Sequence, residues 1–89
     1  MRSLVISSSF EEKLKKFRKA HPDLRLTLIQ ILKILTIDPI PKKYKAHKLG
    51  GPLAGCLAVS INMSYRLIYT FNKDNVYLLN IGSHEVVYE

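Results

Sequence analysis

The chain has 89 residues, of which 47% are hydrophobic, and this is enough to bury one modest core without a metal or a disulfide. Lys and Arg number 14 against 7 Asp and Glu, so the net charge of +7 attracts polyanions or an acidic protein. Cys56 is the single cysteine, which excludes an intrachain disulfide, and no apolar run reaches the roughly 20 residues that a membrane-spanning helix needs. We therefore expect one soluble, cytoplasmic domain over residues 1–89.

The first half of the chain predicts one strand followed by two helices. Residues 2–6 are rich in β-branched residues and stop at three serines, which is typical of a short strand. Ser8 or Ser9 stands three residues before a glutamate, and this capping pattern predicts the start of a helix. The His-Pro-Asp segment at 21–23 ends that helix and starts a second one, which is expected to run to about Ile37.

The second half predicts a basic loop from Lys42 to Gly55 and then a set of strands. The segments 56–61, 65–71 and 76–81 are short and rich in β-branched and aromatic residues. Connections as short as these join only antiparallel neighbours, and a last segment at 85–88 is an edge strand or a tail. The expected fold is α+β, with an N-terminal β-strand and two-helix hairpin packed on a C-terminal antiparallel sheet of three to four strands.

Three motifs within residues 40–89 resemble segments of the RelE/ParE superfamily of bacterial toxins. Residues 47–55, HKLGGPLAG, look like the family's H-x-L-x-G-x-x-x-G segment, and residues 65–69, YRLIY, are similar to its aromatic-R/L-L-I-Y strand. Residues 81–84, IGSH, resemble the G-S-H ending of the YafQ-like branch. The motifs follow one another in the family's order and spacing, while the helical half matches the family only in its pattern.

The resemblance implies the toxin of a type II toxin–antitoxin pair, an mRNA interferase that enters the ribosomal A site and cuts messenger RNA. It implies acid and base roles for His84 and His47 and a phosphate-stabilising role for Arg66. It also implies that Tyr88, which matches a tyrosine near the C-terminus of the RelE branch, is a further catalytic residue. Imidazole suits proton transfer near neutral pH when a ribose 2′-OH attacks the adjacent phosphate. No metal or other cofactor is expected.

Each of these assignments has a structural alternative. An arginine within a strand either faces a phosphate or is paired internally, because an unpaired buried charge is costly. His47 is otherwise an exposed loop histidine, and His84 a strand-end histidine bonded to backbone. The four loop lysines either bind ribosomal and messenger phosphates or only solvate the loop. These lysines are Lys42, Lys43, Lys45 and Lys48.

The resemblance also implies a partner, a small acidic antitoxin. Its C-terminal segment is expected to fold on binding, to cover the basic surface and to lie over the second helix or a sheet edge.

The chain departs from the family pattern at four positions, and these departures keep a second hypothesis open. The family's histidine, aspartate, tryptophan and arginine are replaced here by Ser60, Ser64, Leu53 and Asn80. A serine hydroxyl is not a base near pH 7 without an activating neighbour. The alternative function is therefore a ParE-like toxin without nuclease activity, for example a gyrase inhibitor, or a catalytically degenerate homologue that only binds its antitoxin.

Overall fold

The computed structural model describes residues 1–37 and 40–83, in which a strand and a helical hairpin precede the rest of a sheet. Strand β1 (Ser3–Ile6) leads directly into helix α1 (Ser8–Ala20). Ser7 caps this helix, because its hydroxyl oxygen accepts a hydrogen bond of 3.1 Å from the backbone N–H of Phe10. The cap is thus one residue earlier than the predicted Ser8 or Ser9, both of which already lie inside the helix.

The second helix, α2 (Arg25–Ile34), follows a short 3-10 turn at Pro22–Leu24. The sequence predicted that this helix continues to about Ile37, but it ends at Ile34. After Ile34 the chain forms turns, in which hydrogen bonds join residues three apart instead of four. The N–H of Ile37, for example, donates to the carbonyl of Ile34 at 3.0 Å. Within the described residues, neither helix has the length and hydropathy that crossing a bilayer requires.

The sheet contains β1 and four later strands: β2 (His47–Lys48), β3 (Leu57–Ser60), β4 (Tyr65–Phe71) and β5 (Asn75–Ser83). The strand order is β1-β5-β4-β3-β2. β1 runs parallel to β5, and the other neighbours are antiparallel. The predicted α+β class and the antiparallel arrangement of the C-terminal strands are confirmed. In addition, β1 joins the sheet and the basic loop contributes a two-residue strand, so the sheet of the described residues has five strands. The predicted segment at 85–88 lies outside the described residues.

The two faces of the sheet bury different amounts of apolar surface. Both helices pack on one face and form the main core with it. The buried residues of this core are Phe10, Leu14, Phe17, Leu28, Ile31, Leu35, Tyr44, Val59, Ile61, Leu67, Tyr69, Val76, Leu78 and Ile81. The opposite face carries a small cluster of Ala58 and Ile68 with Leu49 and Cys56 packed against them. We call this second face, against which neither α1 nor α2 packs, the open face.

We expect the free energy of unfolding to depend strongly on Ile31, which is completely buried between α2 and the sheet. Ile31→Ala should reduce it by about 2–5 kcal/mol, because it removes buried methyl groups and leaves a cavity. The matched control is Leu26→Ala on the same helix, where the side chain is 74% exposed and the loss should stay within about 0.5 kcal/mol. Urea denaturation measures both variants, and equal losses would contradict this packing.

Candidate functional site

Arg66 lies at the start of β4, the central strand of the sheet. Its Nη1 atom donates to the carbonyl oxygens of Asn62 at 2.8 Å and Tyr65 at 3.1 Å, with a longer contact of 3.4 Å to that of Met63. These carbonyls belong to the turn between β3 and β4 and to the first residue of β4. The backbone therefore holds one edge of the guanidinium group.

The charge of Arg66 is not neutralised by a carboxylate within residues 1–37 and 40–83, since its hydrogen bonds there all go to backbone carbonyl groups. Its side chain is half-buried at the rim of an open cleft. Carbonyl oxygens orient a guanidinium without cancelling its charge, and the planar fork of the remaining N–H groups matches a phosphate. Within the part of the chain that the structure describes, Arg66 is thus held by backbone oxygens rather than by a carboxylate.

His47 lies on the exposed edge strand β2, opposite Ala58 of β3. Its Nδ1 atom is 3.0 Å from the backbone carbonyl oxygen of Lys45. A carbonyl oxygen can only accept, so this contact requires the proton on Nδ1 and leaves Nε2 unprotonated in the neutral ring. The predicted loop histidine is therefore oriented by a backbone contact.

His47 and Arg66 lie on the same face of the sheet. Directly opposite residues of antiparallel strands point to one face, and His47 is opposite Ala58 while Arg66 is opposite Ser60. Ala58 and Ser60 are two positions apart on β3 and also share a face, the open face. The strand spacing and the rise per residue put the Cα atoms of residues 47 and 66 about 12 Å apart.

A cleft of about 450 Å³ lies beside Arg66 where β3 ends. Its lining includes Lys43, Lys45, Ser60 and Asn62, and no carboxylate of the described residues contributes to it. Two of the four predicted loop lysines thus accompany Arg66.

The other two lysines lie elsewhere. Lys42 is exposed on the 3-10 turn Lys42–Tyr44. Lys48 is opposite Leu57, which packs against the main core, so it projects to the other face of the sheet from His47.

Two predicted site residues, His84 and Tyr88, lie outside the described residues. Ser83, the last described residue of β5, is opposite Tyr65, the neighbour of Arg66. Among the positions that depart from the family pattern, Ser60 is directly opposite Arg66, and the side-chain oxygen of Asn80 accepts a hydrogen bond of 3.3 Å from Lys13.

Sequence reasoning missed Asn62. Its Oδ1 atom accepts hydrogen bonds of 2.9 Å from the backbone N–H groups of both Ser64 and Tyr65, and its carbonyl accepts from Arg66. An asparagine in a short segment between two strands is a signal for this kind of turn. Within the described residues, no group of three His, Cys, Asp or Glu side chains is placed to hold a metal ion.

The comparison with protein families identifies the chain. The model of the family described as "Bacterial toxin of type II toxin-antitoxin system, YafQ" matches residues 2–89. The chain belongs to the YafQ toxin family. This confirms the predicted RelE/ParE-type, YafQ-like assignment. No curated protein sequence matches the chain.

Solved structures of YafQ and of a related toxin share the fold. YafQ in the E. coli DinJ–YafQ toxin–antitoxin complex is 23% identical with a TM-score of 0.83, and covers 99% of this chain and 98% of its own. YafQ from E. coli strain BL21(DE3) is 23% identical with a TM-score of 0.80 and full coverage of both chains. A metal-bound toxin from Helicobacter pylori is 29% identical with a TM-score of 0.82, covering 98% and 99% of the two chains.

The tautomer of His47 in this YafQ-family chain can be tested directly. We expect the neutral ring to carry its proton on Nδ1, because the carbonyl of Lys45 is only an acceptor. Long-range ¹H–¹⁵N correlation spectra distinguish the two tautomers, and His21 provides an internal reference in the same spectrum. A ring protonated mainly on Nε2 would mean that the contact with Lys45 does not form in solution.

Proposed function

We propose that this protein is a ribosome-dependent mRNA endoribonuclease toxin that cleaves by attack of a ribose 2′-OH on the adjacent phosphate. The observation that carries the proposal is the open face, which His47 and Arg66 share and where no carboxylate of the described residues neutralises Arg66. Such a surface attracts a phosphodiester and offers both an imidazole and a guanidinium to it.

The residues have complementary chemical roles in this proposal. One imidazole removes the proton of the 2′-OH, whose oxygen attacks phosphorus, and the other donates a proton to the departing 5′ oxygen, leaving a 2′,3′-cyclic phosphate. His47 and His84 are the two imidazoles, and the free Nε2 of His47 is its proton-exchanging atom. Arg66 stabilises the additional negative charge on the phosphorane. Tyr88 is proposed to contact the RNA.

The loop lysines have a separate task, which is to hold the RNA. Lys43 and Lys45 line the cleft beside Arg66, and Lys42 is exposed on the same turn. Each lysine that neutralises a phosphate contributes to a salt-dependent affinity. Lys48 projects to the other face, so its proposed phosphate belongs to ribosomal RNA rather than to the cleaved strand.

Removal of Arg66 or His84 should suppress cleavage. We expect Arg66→Ala to slow cleavage of messenger RNA on programmed ribosomes by about 10²–10³-fold, as for the loss of one charge-stabilising donor. His84→Gln should slow it by about 10²–10⁴-fold, as for the loss of a general acid or base. Mapping of transcript ends after induction and a growth-arrest assay measure the effect in cells.

The matched control removes a different exposed cation. Lys73→Ala acts on the turn between β4 and β5 and should leave the cleavage rate unchanged. The nuclease proposal is wrong if the wild type neither arrests growth nor cuts transcripts, and the proposed mechanism is wrong if arrest survives His84→Gln together with Arg66→Ala.

The replacement of two family positions by serine favours one alternative. Ser60 and Ser64 supply no base near neutral pH, and Ser60 lies opposite Arg66 on the open face. The alternative is a ParE-like toxin with another target such as gyrase, or a degenerate homologue that only binds its antitoxin. Signs of DNA damage without new transcript ends would favour the gyrase target.

We also propose an acidic antitoxin as the partner, with one docking site on the helical hairpin. A groove of about 150 Å³ is lined by apolar side chains of α1 and α2, including Ile29, which is 41% exposed. Arg18 and Arg25 flank this groove and also line a neighbouring depression with Lys15 and Lys19. An apolar strip with a cationic rim is complementary to an amphipathic acidic segment. The DinJ–YafQ complex is a toxin–antitoxin assembly with a toxin of this fold.

Charge reversal at the groove should weaken antitoxin binding. We expect Arg18→Glu with Arg25→Glu to raise the Kd by about tenfold or more, since like charges would then face each other across the interface. Titration calorimetry of the toxin with the product of the adjacent gene measures the change. Lys73→Glu reverses one charge outside the groove and is therefore compared with the single variants Arg18→Glu and Arg25→Glu. An equal effect of the three single reversals would exclude a specific role of the hairpin.

A further inference from the structure

We propose that Asn62 is a positioning residue that fixes the guanidinium group of Arg66 for the bound phosphate. The inference rests on the proposed nuclease function and adds a residue to which neither the sequence motifs nor the family assignment gives a role. It concerns the turn between β3 and β4, where the backbone changes direction immediately before Arg66.

The side chain of Asn62 organises this turn. Its Oδ1 atom accepts from the N–H groups of Ser64 and Tyr65, both at 2.9 Å, while the N–H of Ile61 donates to the carbonyl of Tyr65 at 3.0 Å. Asparagine is suited to this because its short side chain can replace a backbone acceptor within a turn. The two side-chain contacts of Asn62 are exposed, while Ile61 and Tyr65 at the ends of the turn pack in or against the main core.

The closed turn brings backbone carbonyl groups around one atom of Arg66. Nη1 contacts the carbonyl oxygens of Asn62, Met63 and Tyr65, whereas Nε and Nη2 make no hydrogen bond within residues 1–37 and 40–83. One edge of the guanidinium is thus anchored by the turn, and the other edge keeps donors for a ligand in the adjoining cleft. Loss of the Asn62 side chain would loosen the turn that holds the anchoring carbonyls. The guanidinium group of Arg66 would then lose its fixed orientation.

The chain contains a second turn of the same construction, and it provides the control. Between β4 and β5, the Oδ1 atom of Asn72 accepts from the N–H groups of Asp74 at 3.0 Å and Asn75 at 2.8 Å. The carbonyl of Asn72 also accepts from an arginine, Arg2 Nε at 2.7 Å. The two asparagines therefore have nearly identical local roles at opposite ends of β4, and only Asn62 contacts Arg66.

The test compares cleavage of ribosome-bound messenger RNA under single-turnover conditions with stability to urea. We expect Asn62→Ala to slow cleavage by about tenfold to a hundredfold, as for a misplaced reacting group. Asn72→Ala should cause a similar loss of stability and leave the cleavage rate unchanged. Asn62→Ser should give an intermediate rate, because a serine hydroxyl forms this type of turn more weakly.

A double-mutant cycle separates positioning from a general structural effect. If Asn62 acts through Arg66, then Asn62→Ala should have almost no additional effect on the cleavage rate once Arg66 is alanine. An additive cycle would overturn the inference, as would equal cleavage by Asn62→Ala and Asn72→Ala. If the wild-type protein cuts no RNA, the nuclease proposal itself is wrong. If the wild type cuts RNA and Asn62→Ala cuts it at the same rate, only the positioning role is wrong.

Discussion

The structure depends on the burial of β4 between two neighbouring strands and beneath the helical hairpin. Leu67, Ile68 and Tyr69 are each at most 2% exposed, so both faces of this strand are covered at its centre. A strand buried on both faces must satisfy its backbone groups through its neighbours, and β4 does so with β3 and β5. This fixed register determines where the two ends of β4, and therefore its turns, are located.

The register of β4 places one cationic residue of the open face, Arg66, at the boundary between the core and solvent. Arg66 directly precedes the fully buried Leu67, and it is paired with Ser60 of β3 and with Gly82 of β5. The side chain reaches the turn carbonyls, which neutralise none of its charge. A cation that is held by backbone oxygens, and that no carboxylate of residues 1–37 and 40–83 neutralises, is suited to stabilise a negatively charged group with little reorganisation.

Two groups of basic residues lie in different surroundings. In the cleft beside Arg66, Lys43 and Lys45 adjoin polar side chains, a surface suited to a phosphodiester. On the helical hairpin, Arg18 and Arg25 adjoin an apolar groove, a surface suited to an amphipathic protein segment. The basic residues of the chain therefore form two surfaces, one with chemistry suited to a phosphodiester and one with chemistry suited to an acidic protein segment.

The sequence by itself determined the α+β class, the strand from Tyr65 to Phe71 and the toxin family, because these depend on local periodicity and contiguous motifs. It did not reveal the parallel pairing of β1 with β5, the two-residue strand β2 or the backbone partners of Arg66. Parallel pairing joins segments about seventy residues apart in sequence, two residues are too few to show a period, and a side chain's partners are set by the packed turn. The sequence thus indicates which chemical groups are present, and the pairing of the strands in the folded sheet determines which of these groups lie on the same face.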